Sequence, residues 1–162
     1  MVDLINGDTS FARSREGLEE NRAAVAVTGK AFNGEEEKDV RLITTHIARS
    51  PEVHDDQLNQ TIDFIKDNTK DGRPTIFCGD LNGLPPEIRI AFSKMSGFIT
   101  ERTTRTSVNN DRTLDYCTYN EAGVLGLGNV EVVYGFKTDH YPLVASWSLA
   151  GENEKPVLQV DR

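Results

Sequence analysis

The hydrophobic and polar positions of this chain follow two periods, which predict a mixture of strands and helices. Short apolar or alternating runs bounded by turn residues are typical of strands. Such runs cover residues 23–27, 40–47, 75–80, 114–119, 130–134 and 143–149. The polar segment 30–38 predicts a loop, and the glycine-rich segment 123–129 predicts a turn region.

Two other stretches have a helical period. Leu58, Ile62 and Ile65 are spaced i, i+4 and i+7 and predict a helix over about residues 55–68. Pro85-Pro86-Glu87 begins a second helix, whose buried face carries Ile88, Phe92 and Met95. Because the helices fall between strands, the pattern predicts a layered α/β architecture. We expect one domain over residues 1–150, followed by a polar tail over 151–162.

Composition narrows the class of protein. With 162 residues, 37% hydrophobic and 27% charged, the chain is long enough for one soluble domain with a core. A net charge of −8 removes any broad attraction to nucleic acid or anionic membranes, although a local basic patch could persist. No apolar run is long enough to span a membrane and no signal peptide is visible, so we expect a soluble, cytoplasmic protein.

The two cysteines, Cys78 and Cys117, lie in apolar, strand-like runs. Cysteine behaves as a small buried hydrophobe in such positions. We therefore expect free buried thiols, with a disulfide as the less favoured alternative.

The most informative stretch is residues 75–83, an apolar run that ends in Gly79-Asp80-Leu81-Asn82-Gly83. In extended backbone, positions i and i+2 point the same way, so Asp80 and Asn82 could meet at one spot. A carboxylate can bind a hard metal ion or move a proton, and a carboxamide can hold a phosphate oxygen or a water molecule. Taken alone, the same residues are more typical of a turn than of a site.

Other strand ends carry similar chemistry. His46 follows one apolar run, Asp115 lies within another, and Asp139-His140 precedes the last. An unpaired charge beside apolar sequence is costly, so a shared polar site would explain these positions together. His54 belongs to no such pattern, and we expect it at the surface.

Taken in order, these segments resemble the endonuclease/exonuclease/phosphatase superfamily, the group of deoxyribonuclease I, neutral sphingomyelinases, inositol polyphosphate 5-phosphatases and the deadenylases. The resemblance covers about residues 22–149 and rests on Thr45-His46-Ile47, Gly79-Asp80-Leu81-Asn82, Leu114-Asp115-Tyr116 and Thr138-Asp139-His140-Tyr141-Pro142-Leu143. It implies a deoxyribonuclease I-like layered α/β sandwich. It also implies a metal-dependent phosphoester hydrolase, in the first place a nuclease or phosphodiesterase with a nucleic-acid substrate.

The resemblance implies a catalytic role for three of these side chains. His140 would deprotonate or orient the attacking water, because imidazole titrates near neutral pH. Asp115 would hold the His140 ring and stabilise its cation. His46 would donate a hydrogen bond to a phosphate oxygen as negative charge grows in the transition state.

The remaining positions would serve the metal ion as well as the reaction. Asp139 would lie at or near Mg²⁺ or Mn²⁺, ions that suit oxygen ligands. Asp80 would position the nucleophile or relay a proton, and it is also a candidate metal ligand. Asn82 would hold a phosphate oxygen or support the metal.

One feature of the family has no counterpart in this sequence. The family's metal-binding Glu and an earlier Asn precede the strand that matches residues 23–27, and only 22 residues precede that strand here. We therefore expect the C-terminal part of the domain. Its other part lies outside this sequence, is supplied by a partner or a second copy, or has been lost in a reduced form with weak or no catalysis. The alternatives to a nuclease are a catalytically incomplete or non-catalytic binding module, or a phosphoesterase of the inositol-phosphate or sphingomyelin type.

Overall fold

A computed structural model describes residues 2–3, 10–13, 22–33, 36–95, 98–100, 106–107, 112–120, 125–135 and 137–149. The strands are β1 (Val2–Asp3), β2 (Ser10–Arg13), β3 (Ala23–Asn33), β4 (Glu36–His46), β5 (Thr75–Asp80), β6 (Phe98–Thr100), β7 (Asp115–Asn120), β8 (Leu125–Val132) and β9 (Leu143–Leu149). The helices are α1 (Pro51–Asp67) and α2 (Pro85–Ser93). The predicted tail over residues 151–162 lies outside the described residues.

Seven of these strands form one sheet in the order β1-β3-β4-β5-β7-β6, with β2 also paired to β3. Strands β4 and β5 are parallel, and α1 makes the crossover between them, as parallel neighbours require. The other neighbours in this sheet are antiparallel. Strands β8 and β9 form a separate antiparallel ribbon.

Each helix buries the apolar stripe that its sequence predicts. Ile62 and Ile65 of α1 and Ile88 and Phe92 of α2 are buried in one cluster with Phe77 of β5. Burial of a side chain of this size contributes roughly 1.5–3 kcal/mol, so these contacts hold both helices on one face of the large sheet. On the opposite face, a second cluster is formed by Val40, Ile76 and Tyr119, with Trp147 of β9 against it. The layered α/β architecture is therefore confirmed.

Two predicted loops are strand instead. Strands β3 and β4 pair as far as Asn33 opposite Glu36, so most of the predicted loop 30–38 is a hairpin. The ladder continues there between polar residues, and Lys30 forms an ion pair with Glu37 across the two strands. Strand β8 likewise begins at Leu125, with an irregular register between Gly126 and Asn129. Backbone pairing extends past the apolar pattern in both places, and at the first of them Asn33-Gly34 is a hairpin signal that favours it.

The prediction of free thiols is wrong, because Cys78 and Cys117 form a disulfide. The two residues lie directly opposite each other in β5 and β7, with their Cα atoms 4.2 Å apart. Whether two cysteines can bond depends on the separation and direction of their Cβ atoms. The register of strands 39 residues apart in sequence determines that separation here.

Candidate active site

Three predicted site residues form one row across the large sheet. His46 of β4 is the register partner of Asp80 of β5, and Asp80 is the register partner of Asp115 of β7. Parallel β4 and β5 both end at this edge, and antiparallel β7 begins there. Directly opposed residues project to the same face of a sheet, so the topology brings these three side chains together.

Close packing and a tight turn hold Asp80 in this row. A Cβ atom on Gly79 would lie 2.4 Å from the carbonyl oxygen of Thr45, so only glycine permits the approach of β5 to β4 there. Asn82 has a positive φ of 45°. Its backbone N–H donates to Asp80 Oδ1 at 2.9 Å and its Nδ2 donates to the Ile47 carbonyl at 3.0 Å. These bonds fix one oxygen of Asp80 and join the turn to the end of β4.

The buried face of the same turn is anchored by Tyr116. Its hydroxyl donates to the carbonyl of Gly83, with an oxygen–oxygen distance of 2.8 Å. Burial, and next the charge of Glu87, hold the pKa of Tyr116 well above its ordinary value. The phenol therefore remains a neutral donor, and it links the turn after β5 to strand β7.

His140 reaches the row through a short segment that sequence reasoning missed. Ser107 forms a β-bridge with His140, and the N–H of Tyr141 donates to the Thr106 carbonyl at 2.7 Å. The buried Thr106 Oγ1 accepts the N–H groups of Leu114 and Asp115 at 2.8 and 3.1 Å. Thr106 thus joins the loop of His140 to the start of β7. Its sequence context, a polar run rich in threonine, contains no signal for this role.

The two catalytic candidates Asp115 and His140 are in direct contact. His140 Nδ1 lies 2.8 Å from Asp115 Oδ2, which is hydrogen-bond distance. Asp80 Oδ2 lies 3.7 Å from His140 Nδ1 and 3.5 Å from His46 Nε2, so it has an imidazole on either side. The His46 side chain is 54% exposed, whereas those of Asp80 and Asp115 are 14% and 20% exposed. The cluster therefore faces solvent through His46.

The protonation of the cluster departs from that of free side chains. Burial raises the pKa of Asp80, and the Asp115 carboxylate adds to the effect. The N–H of Asn82 and the two histidines act in the opposite direction without cancelling it. For His140, partial burial opposes protonation, but the hydrogen bond and charge of Asp115 outweigh it and raise the pKa of the imidazole. Both shifts increase the protonated fraction of these two groups at neutral pH.

Only some of the predicted metal ligands belong to the cluster of ligand atoms that the structure shows. Asp80, Asp115 and His140 each offer one ligand atom, and these atoms lie within 4.8 Å of one another. This set of carboxylate and imidazole groups could hold a divalent cation. Asn82 lies in the adjoining turn, with its Nδ2 already bonded to Ile47. Asp139 is exposed and is not a member of the three-residue group. The predicted roles of all these residues therefore stay predictions.

His54 is not at the surface, and that prediction is wrong. Its side chain is 8% exposed, and Nε2 lies 2.9 Å from the carbonyl oxygen of Leu81. Helix α1 begins at Pro51, four positions before the predicted start, so His54 is helical. It then lies on the same buried helix face as Leu58, four residues further on. Within the described ranges, neither helix is long and apolar enough to cross a membrane.

Comparisons with known proteins now bear on the fold. No protein-family model and no curated protein matches the chain. Among solved structures, the human Nocturnin catalytic domain with bound sulfate is 21% identical with a TM-score of 0.70, over 92% of this chain and 60% of that one. An endonuclease/exonuclease/phosphatase protein from Bacteroides vulgatus is 14% identical with a TM-score of 0.66, over 91% and 66% of the two chains.

A third similar structure is D. rerio TDP2 complexed with a single-stranded DNA product. It is 14% identical with a TM-score of 0.64, and the match covers 91% of this chain and 68% of that one. The chain thus spans roughly two thirds or less of the length of these structures. At these identities the likeness concerns the fold, and it confirms the resemblance seen in the sequence at that level. The chain has the endonuclease/exonuclease/phosphatase fold, a mixed α/β architecture of the deoxyribonuclease I type.

Proposed function

We propose that the chain carries the catalytic site of a metal-dependent phosphoester hydrolase, which cleaves phosphodiester bonds by attack of water. The observation that carries the proposal is the contact between His140 Nδ1 and Asp115 Oδ2 at 2.8 Å. This contact joins His140 to the row of His46, Asp80 and Asp115 at one edge of the sheet. A histidine oriented by a buried acid is the arrangement that proton abstraction from a nucleophile requires.

His140 acts as the general base. An ionised carboxylate only accepts hydrogen bonds, so the His140 ring hydrogen in the neutral state lies on Nδ1, toward Asp115. The lone pair of Nε2 is then available to take a proton from water. Asp115 holds the ring orientation and stabilises the imidazolium that forms, without itself taking the proton.

His46 and Asp80 act on the phosphate side of the reaction. His46 is the most exposed member of the row, and its ring can donate to a non-bridging phosphate oxygen as charge develops. Asp80 Oδ2 lies 3.5 Å from His46 Nε2, so the two side chains face the same spot. Asp80 also positions the attacking water, since its Oδ1 is already held by the N–H of Asn82.

The donor set at this edge fits a divalent cation. Asp80, Asn82 and Asp139 offer the carboxylate and carboxamide oxygens that Mg²⁺ or Mn²⁺ prefers, and we propose that they hold the ion. A bound divalent ion neutralises developing phosphate charge and makes bound water more acidic. With the ion held by these three residues, His140 remains available to receive the proton and His46 to face the phosphate.

Nucleic acid is the proposed substrate. The similar structure of D. rerio TDP2 contains a single-stranded DNA product, and the human Nocturnin structure contains sulfate, an ion with the shape and charge of phosphate. Since the net charge of this chain is −8, attraction to a polyanion has to come from the site and its cation rather than from the overall charge.

The test is hydrolysis of bis(p-nitrophenyl) phosphate by the wild-type chain and His140→Ala, with Mg²⁺, Mn²⁺ or EDTA. We expect chelator-sensitive turnover that falls at least about 10²-fold in His140→Ala. Lys137→Ala, an exposed change in the same loop, is the matched control and should retain activity. Turnover that survives in His140→Ala would refute the assignment. A folded wild-type chain without turnover would support the non-catalytic alternative.

A further inference from the structure

A second cluster of metal-ligand side chains lies where the N-terminal turns of α1 and α2 approach each other. His54 Nδ1 is 3.3 Å from Asp55 Oδ1 and 3.5 Å from Glu87 Oε1. The three ligand atoms all lie within 4.8 Å of one another. This cluster shares no side chain with the site of His46, Asp80, Asp115 and His140.

The tautomer of His54 directs a lone pair at these two acids. Nε2 lies 2.9 Å from the Leu81 carbonyl, which can only accept, so Nε2 carries a hydrogen. In the neutral ring, Nδ1 is then an acceptor that faces two further acceptors. The imidazole side chain is 8% exposed, so packing holds Nδ1 in this position. A cation between this nitrogen and the two carboxylates would remove the repulsion among the three acceptors.

Two of the three spacings match a metal ion. Bonds of about 2.0–2.2 Å in tetrahedral geometry place neighbouring ligand atoms about 3.3–3.6 Å apart. The two distances from Nδ1 fall in that range. In addition, a ligating histidine usually donates its other N–H to a carbonyl or carboxylate, which is the contact that His54 makes with Leu81.

Access and ligand type narrow the choice of ion. The Asp55 and Glu87 side chains are 84% and 42% exposed, and both line an open cleft between α1 and α2. A fourth ligand can therefore come from solvent. Imidazole nitrogen suits zinc and similar transition metals, whereas Mg²⁺ and Ca²⁺ prefer oxygen alone. We propose that His54, Asp55 and Glu87 bind a divalent transition-metal ion of the zinc type, with water as the fourth ligand.

Such an ion would connect three parts of the fold. Asp55 belongs to α1 and Glu87 to α2, and His54 contacts the backbone of Leu81, between Asp80 and Asn82. Bound metal would thus hold the two helix starts and the turn that positions Asp80. The expected role is structural support of that turn.

The test is a calorimetric titration of Zn²⁺ into the chelator-treated full chain, carried out in a His46→Ala/His140→Ala background so that the other cluster lacks both of its imidazoles. We expect one site, with affinity reduced at least about 10-fold by Glu87→Gln and by Asp55→Asn. Glutamine at position 87 can still accept the Leu84 N–H that Glu87 Oε2 accepts at 3.3 Å, so the helix cap is kept.

Asp56→Asn is the matched control, because it removes an exposed carboxylate from the same helix turn outside the cluster. The Zn²⁺ affinity of this variant should change by no more than about 2-fold. Thermal unfolding with Zn²⁺ should show stabilisation in the background and control chains only. Absence of Zn²⁺ binding to the folded chain, or equal affinity in Glu87→Gln, would overturn the proposal and leave the cluster as contacts between His54 and two carboxylates.

Discussion

Asp80 of β5 and Asp115 of β7 lie directly opposite each other in neighbouring antiparallel strands. Like charges in opposed positions destabilise a sheet unless something compensates them. The compensation here comes from two imidazoles, since His140 bonds Asp115 at 2.8 Å and His46 lies 3.5 Å from Asp80. The two acids therefore make positive charge favourable at this edge of the sheet. A bound cation would supply that charge and could in turn hold a phosphate group.

Asp115→Asn should impair catalysis and shift its pH dependence. Asp115 raises the pKa of His140, and the proposed base acts when neutral, so wild-type activity rises through a pH above the ordinary value of 6.5. Without the carboxylate, the acid limb of the kcat profile should move to lower pH, while the plateau falls by about 10²–10⁴-fold. A pH–rate series on both chains measures this. A fall in activity without movement of the limb would mean that another group controls the profile.

Asp80→Asn should stabilise the chain at neutral pH although it impairs hydrolysis. Burial and Asp115 raise the pKa of Asp80 in the folded state, so its contribution to stability is present below its unfolded value of about 3.8 and lost as pH rises. Asparagine keeps an oxygen for the Asn82 N–H without the charge. Denaturant unfolding at pH 7 should therefore favour the variant, and the difference should vanish near pH 3. A less stable variant at pH 7 would show that the histidines over-compensate the charge.

Removal of the Cys78–Cys117 disulfide should destabilise the chain. The bond joins β5 to β7 two residues from the opposed Asp80 and Asp115, and it closes a loop of 39 residues. A cross-link of this kind contributes about 2–4 kcal/mol to the free energy of unfolding. Urea unfolding with and without dithiothreitol measures the effect, and the double variant Cys78→Ser/Cys117→Ser is the control that should not respond to the reductant. Equal stability of oxidised and reduced wild type would contradict the prediction.

Gly79→Ala should cost both stability and activity. The new Cβ would lie 2.4 Å from the Thr45 carbonyl oxygen, so β5 would have to move away from β4 and take Asp80 with it. Overpacking of this kind costs about 1–3 kcal/mol. Gly72→Asn is the matched control, because Gly72 has a φ of +72° with nothing within 4 Å, and asparagine tolerates that conformation. Thermal unfolding and bis(p-nitrophenyl) phosphate turnover of both variants give the comparison, and similar losses in the two would exclude the steric explanation.

Much of the secondary structure can be predicted from the local sequence pattern. The spacing of Ile88, Phe92 and Met95 predicts a buried helix face, and all three side chains are buried, although α2 ends at Ser93 and Met95 lies just beyond it. The apolar run before Asp80 and the alternation through Leu143–Leu149 predict β5 and β9. Periodicity predicts these elements correctly because a helix or strand that packs on one side has apolar residues on the side that faces the core.

Pattern fails where the deciding contact joins distant segments. The hairpin of β3 and β4 continues through polar residues, and the disulfide depends on the register of β5 against β7. His54 is buried because α1 places it against the carbonyl of Leu81, 27 residues away. The sequence by itself determined which residues carry charge, hydrogen-bonding groups and helical or strand periodicity. Only the tertiary structure decided which of them meet, because strand register and helix docking are set by the packing of the whole core rather than by neighbours along the chain.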